Sequence, residues 1–296
     1  MAVLFLVLAV GYAANKLKIM TGESNKLLTK LVINIAMPCT ILNSVISGDV
    51  GITGGQALFF VLMIILTFII AFLLVIPIPR LLNTPKEDTG IYQFMVVFGN
   101  VGFMGFPVVQ SIFGTASIFY VALFNIPFTI LSFSLGIIMV AGRGEKINPK
   151  LFINPALIGA AVAIFIFATK ITVPSILSST TEIIGQLTTP AAMLIIGSTL
   201  ASIPIKEVFS QWRLYPISLL KLFIVPVITW LVLRLFITDE LMLGVLVVLS
   251  AMPTATNATM LSMEYGGNEK LASKGVFITT LLSVATIPLL VYLLLT

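Results

Sequence analysis

VVFGNVGFMGFPVV, residues 96–109, and LSAMPTATNATM, residues 249–260, decide the fold. Each is a hydrophobic run with helix breakers in its middle, and the two lie about 152 residues apart in a chain of 296. Proline removes a backbone donor and glycine weakens a helix, so both runs leave backbone groups without intrahelical partners. At bilayer depth such backbone survives only where it is buried in protein or lines a wet cavity. Glycine and proline also serve ordinary packing and kinking in membrane helices, which is the plainer reading of one such run. Two interrupted spans at matching positions of two halves point instead to a carrier's substrate site. The residues between them repeat at the same offset: Pro38 matches Pro190, Lys86-Glu87-Asp88 matches Thr238-Asp239-Glu240, and Phe113-Gly114 matches Tyr265-Gly266.

Composition agrees with a polytopic membrane protein. Hydrophobic residues make up 59% of the chain and charged ones 9%, against roughly 25% charged in a soluble domain. Ten apolar stretches can be counted, near 2–17, 26–47, 55–79, 91–113, 116–141, 151–170, 175–201, 208–237, 240–264 and 268–295. Most approach or exceed the roughly 20 residues a helical span needs. The runs are continuously apolar, whereas a membrane β-barrel would alternate apolar and polar, so an all-α polytopic fold is expected. The first run lacks a basic leader and a small-residue cleavage site and reads as a true span. With one cysteine, Cys39, and no histidine, neither an intramolecular disulfide nor a histidine-based metal site or triad can form; no cofactor or metal is expected. The formal charge of +5 lies in short loops, so no nucleic-acid partner is implied.

The basic residues set an orientation. Odd-numbered connections hold thirteen, Lys16, Lys18, Lys26, Lys30, Arg80, Lys86, Arg143, Lys146, Lys150, Lys206, Arg213, Lys270 and Lys274; even-numbered ones hold Lys170 alone. The positive-inside rule then places the odd loops in the cytoplasm and both termini outside the cell membrane. Five spans per half is an odd number, so the second half enters from the opposite side and the repeats are inverted. The expected divisions are a first five-helix repeat at 1–142, a cytoplasmic linker at 143–150 and a second, inverted repeat at 151–296.

GNVGFMGFP (99–107), NIAMPCTIL (34–42), TTPAAMLIIGSTLA (188–201) and SAMPTATNATMLSMEYG (250–266) together resemble the auxin efflux carrier family of bacterial and archaeal permeases, relatives of the plant PIN-formed exporters. The resemblance covers essentially the whole chain. It implies ten transmembrane helices in two inverted five-helix repeats with broken helices 4 and 9 crossing, the fold type of sodium–proton antiporters and bile-acid symporters. In the plant exporters the fourth-span crossover reads Pro-Asn, and the asparagine helps to hold the substrate carboxylate. The matching position is Asn100, preceded here by Gly99; the ninth-span crossover proline corresponds to Pro253. The long cytoplasmic loop of the plant proteins is absent, and bacterial relatives are thought to move organic acids such as malate.

Asn100 is the first candidate for substrate contact. Its NH₂ can donate to a carboxylate while its oxygen accepts, or it can tie off backbone groups at the break. Gly99 belongs to the same break. Thr254, Thr256, Asn257 and Thr259 give the ninth span a polar face, although threonine hydroxyls often bond back to their own helix. Gly102, Gly105, Pro107 and Pro253 are read as setting crossover geometry. Lys221, about ten residues into the eighth span, is a substrate counter-charge, a substitute for a coupling cation, a proton carrier, a structural partner or a snorkelling lysine. Asn34, Asn43, Gln186 and Thr189 are cavity candidates, with Ser44, Thr188 and Asn125 beside them; all can equally be helix-to-helix glue. The carboxylates cluster at span ends, Glu182 and Glu264 being the least peripheral, so no coupling acid stands out.

The sequence therefore reads as a secondary transporter of a small organic anion working by alternating access, with the lipid bilayer as its other partner and a homodimer left open. Spans 3–5 and 8–10 would move against spans 1, 2, 6 and 7. A sodium-coupled symporter of the bile-acid type is the rival within transport. An intramembrane enzyme is the rival of another class, and the chain offers it no catalytic set.

Overall fold

The computed structural model describes residues 2–46, 53–141, 155–202 and 211–295; the expected linker at 143–150 lies outside them. In chain order the helices are α1 (Ala2–Lys16), α2 (Gly22–Leu31), α3 (Met37–Ile46), α4 (Gly54–Val75), α5 (Ile78–Leu81), α6 (Thr89–Val97), α7 (Phe106–Phe113), α8 (Ser117–Ser132), α9 (Leu135–Ala141), α10 (Pro155–Thr169), α11 (Ser175–Gly185), α12 (Thr188–Ser202), α13 (Leu214–Leu219), α14 (Val225–Leu233), α15 (Glu240–Ser250), α16 (Asn257–Glu264) and α17 (Glu269–Leu295). No strand occurs among the described residues, as expected where lipid forces each backbone group to find its partner within a segment. Each of the ten apolar stretches holds helix, and among the described residues five continuous helices are by themselves long and apolar enough to cross a bilayer: Gly22–Ile46, Gly54–Leu81, Ser175–Ser202, Leu214–Leu233 and Glu269–Leu295.

Four element starts recur at nearly one offset. The starts at Ala2, Gly22, Thr89 and Ser117 recur at Pro155, Ser175, Glu240 and Glu269, 151 to 153 residues later. The second stretch begins at Gly22, four residues before the expected 26, because Thr21 and Ser24 form a reciprocal capping box: Ser24 N donates to Thr21 Oγ1 at 3.3 Å and Thr21 N to Ser24 Oγ at 2.7 Å. At the other recurrence, Asp239 Oδ1 accepts from Met242 N at 2.8 Å and fixes the start of α15.

Three π turns among the described residues, Val32–Ala36, Val101–Gly105 and Leu220–Ile224, each end two residues before a proline: Pro38, Pro107 and Pro226. A proline inside an α-helix clashes with the carbonyl four residues back and leaves it without a donor. Widening the turn moves that bond to the fifth residue, and Met37 N indeed donates to Val32 O, and Val225 N to Leu220 O. Pro127 and Pro288, by contrast, lie within α-helix.

The chain divides into two compact units, each drawn from both sequence halves. The first comprises 1–60, 102–126 and 149–203. There α1 lies along α12, and α3 packs on α10 and α11. Glycines permit the close approach. A Cβ at Gly197 would stand 1.9 Å from Leu8 O, one at Gly11 2.3 Å from Leu194 O, and one at Gly185 3.0 Å from Thr40 N. Lys16 Nζ donates to Ala201 O at 2.9 Å, a cation at the carbonyl end of α12.

The second unit comprises 61–101, 127–148 and 204–296. Its core is aromatic. Phe98 is fully buried among Phe68, Phe72, Phe94 and Phe128, with ring centroids 4.7 to 6.2 Å away, and Gly136 makes room for Phe94. The expected grouping of spans 3–5 with 8–10 is met here except at 55–60 and 102–126, which cluster with spans 1, 2, 6 and 7. The break after Phe98 uncouples the second half of the fourth stretch from its first half, and α7 packs on α12 instead.

Gly197→Ala tests the small-residue packing: with a carbonyl already in the space of the new methyl, apparent stability should fall by about 1–3 kcal/mol, read as a lower thermal midpoint in detergent.

Candidate functional site: a paired break in two helices

α6 and α15 both end where the sequence predicts breaks. Phe98 leaves α6 with φ −100° and ψ 110°, and α15 stops at Ala251, two residues before Pro253. The freed backbone is reused across the break. Asn100 N donates to Pro253 O at 2.7 Å and Ala255 N donates to Phe98 O at 2.9 Å, an antiparallel bridge between Gly99 and Thr254. Two segments far apart in sequence thus replace the intrahelical bonds that each has lost.

Thr254 completes the junction. It is fully buried; its Oγ1 donates to Met95 O at 3.0 Å, and its backbone N donates to Thr279 Oγ1 at 3.1 Å. Thr279, also fully buried, donates to Gly275 O at 2.7 Å. Thr254 therefore caps the carbonyl end of α6, and the back-bonding expected of threonine runs to another helix. Sequence reading missed Thr279, although two adjacent threonines in the apolar run FITTLLS were a visible signal.

Gly99 is required by proximity. A Cβ there would lie 3.1 Å from Met252 Cβ, 3.2 Å from Met252 O and 3.3 Å from Lys221 Nζ. Lys221, on the π turn Leu220–Ile224, is 2% exposed. The turn packs on α6 and α17. Its ammonium reaches the break and does not snorkel to a span end, and it makes neither a hydrogen bond nor an ion pair among the described residues.

The second unit therefore gathers Gly99, Asn100, Pro253, Thr254 and Lys221. Asn100 is 4% exposed. Asn257 opens α16 and is half-buried, its Nδ2 3.5 Å from Ser132 Oγ and its Oδ1 buried without a hydrogen-bond partner among the described residues. Thr256 is exposed, and half-buried Thr259 accepts from Ser273 Oγ at 3.4 Å.

The remaining candidates fall in the first unit. Gly102 is half-buried, with open space toward Met37, and Gly105 and Pro107 are buried. Pro107 follows a π turn at the start of α7, so the break itself belongs to Phe98-Gly99-Asn100 and not to this proline. Thr189 donates to Gln110 Oε1 at 3.3 Å, a partner the sequence did not single out. Thr188 and Thr40 pair at 2.7 Å. Asn34 and Gln186 are exposed, Asn43 is half-buried and Asn125 is buried. Glu182 is exposed.

Two helices interrupted within apolar runs, joined to each other beside a buried amide and a buried ammonium, are the pattern of a membrane transport protein. The chain belongs to the membrane transport protein family, the auxin efflux carrier group, which it matches over residues 1–150 and 145–291. It is 28% identical over 301 residues to a Rhizobium meliloti protein described as "Putative malonate transporter", covering 96% of this chain and 91% of the relative. It is 29% identical over 302 residues to an uncharacterized transporter of Methanocaldococcus jannaschii, covering 97% and 95%, and 26% identical over 298 residues to one of Methanothermobacter thermautotrophicus, covering 98% and 95%. The protein is a multi-pass membrane transporter and not an enzyme.

Two substitutions test the junction. Thr254→Val keeps shape but removes the donor to Met95 O and should cost about 1–2 kcal/mol in unfolding, with Thr254→Ser close to wild type. Gly99→Val should separate the paired breaks and abolish transport while the protein still inserts in the membrane.

Proposed function

We propose that the protein carries a small organic anion, a mono- or dicarboxylate, by alternating access, with the carboxylate held beside the paired breaks. The observation that carries this reading is a buried ammonium, Lys221, beside Gly99, where backbone is freed from helix and the next residue, Asn100, is a buried amide. An ammonium in a low-dielectric site attracts an anion, and an amide NH₂ orients one carboxylate oxygen. Asn257, at the N-terminal end of α16, adds a second amide where the helix dipole favours negative charge. Thr254 has its hydroxyl proton engaged by Met95 O and serves as support.

The relative described as a malonate transporter supports a short dicarboxylate as the first substrate to try. In this reading the chain makes ten spans as two inverted five-helix repeats, 1–142 and 151–296, with both termini outside the cytoplasm of a cell membrane. Recurrence of element starts at 151 to 153 residues supports the repeat, and the skew of basic residues supports the orientation. Asn34, Asn43, Gln186 and Thr189 are held as residues lining the path. The sodium-coupled rival has no specific observation in its favour.

Purified protein in liposomes should take up malonate, malate or a related acid, and Asn100→Ala should lower kcat/KM about tenfold to a hundredfold. Uptake of none of a carboxylate panel by folded wild type would overturn the reading. For orientation, a cysteine placed at Lys170 in a Cys39→Ser background should react with an impermeant maleimide from outside intact cells, and one at Lys86 should not.

A further inference from the structure

We infer that Lys221 is a resident cation: its ammonium occupies the place of a coupling ion at the paired breaks, and removing the side chain leaves a site for a small monovalent cation. This deepens the transport reading by assigning regulation of that same site.

The argument begins with charge. α6 and α15, of 9 and 11 residues, both present carbonyl ends to the junction, because the bridge between Gly99 and Thr254 follows directly on their last turns. A helix carries the equivalent of about −0.5 charge at its C-terminus, so the ends of α6 and α15 favour a cation, while the N-terminal end of α16, three residues past Thr254, favours an anion. Lys221 Nζ is 3.3 Å from the point where a Gly99 Cβ would stand, and Met252 O is 3.2 Å from the same point.

Burial supplies the second, independent observation. Lys221 is 2% exposed and has no hydrogen-bond or ion-pair partner among the described residues. An isolated buried charge is costly, and no side chain offsets this one. In this proposal the carbonyl ends of α6 and α15 do so, in the way that unwound carbonyls and half-helix C-terminal ends hold an alkali ion in carriers with broken helices. The side chain is delivered by a π turn forced by Pro226, and such turns recur at functional positions. A glycine at 99 is needed because any larger residue would take up the space beside the ammonium.

A carrier whose cation is covalently attached needs none from solution. Wild type should therefore be indifferent to alkali ions. Lys221→Ala should lose its built-in charge and regain function with an external one.

The test is thermal unfolding of purified protein at constant ionic strength, with sodium, lithium or ethylammonium chloride each replacing choline chloride. Wild type should show no shift. Lys221→Ala should melt lower in choline and rise by about 2–4 °C with at least one of the three small cations. Should that variant not fold, Lys221→Gln serves in its place, with the same shift expected. Sodium stabilisation of wild type, or a variant unmoved by all three cations, would overturn the proposal. Uptake by the variant in liposomes should likewise require the same cation. If the shift is seen but wild type moves no carboxylate, the resident cation stands and the substrate assignment falls.

Discussion

Two backbone hydrogen bonds, from Asn100 N to Pro253 O and from Ala255 N to Phe98 O, are the constraint on which the second unit depends. In a bilayer, a helix that stops midway exposes donors and acceptors that water cannot reach, each costing several kcal/mol. Stopping two helices at one place lets each absorb the other's loose ends. Thr254 and Thr279 extend the arrangement outward, and the rings around Phe98 exclude competing solvent. Neither break is tenable alone, which is why they are found as a pair.

The π turns show how proline acts at one remove. Pro38, Pro107 and Pro226 each fall just after a widened turn, so the disturbance appears in the residues before the proline. That displacement decides which side chains are re-aimed. In the eighth stretch the re-aimed residue is Lys221, whose ammonium would otherwise follow a regular helical register. A local steric rule thereby contributes to the electrostatics of the junction.

Much of this was legible in the sequence. Apolar runs gave the helices because a bilayer leaves so few alternatives, and Gly99 with Pro253 marked both breaks within a residue or two. The capping box at Thr21 was equally readable, though the apolar run alone placed that start later. Other features depend on which helix meets which. Thr254 reads as a polar face residue until Met95 O and Thr279 are found beside it, and Lys221 reads equally as a snorkelling lysine until Gly99 is found beside its ammonium. Pro107 misled because a proline is a louder signal than the glycine that carries the break. Grouping of 102–126 with the first, second, sixth and seventh stretches was invisible, since it follows from the packing of α7 on α12.

Interleaving of the two compact units bears on how the chain is made. The first draws on residues from the amino terminus to about 203, and the second from 61 to the carboxyl terminus. Neither can close while the ribosome is still producing the sixth stretch. Early helices must therefore wait in the bilayer as separate cylinders, their small-residue faces unfilled, and α6 must hold an unfinished end until Pro253 and Ala255 arrive. Assembly of this protein is thus a late event that follows insertion, and a truncated chain lacking the last third would leave the fourth stretch with backbone it cannot satisfy.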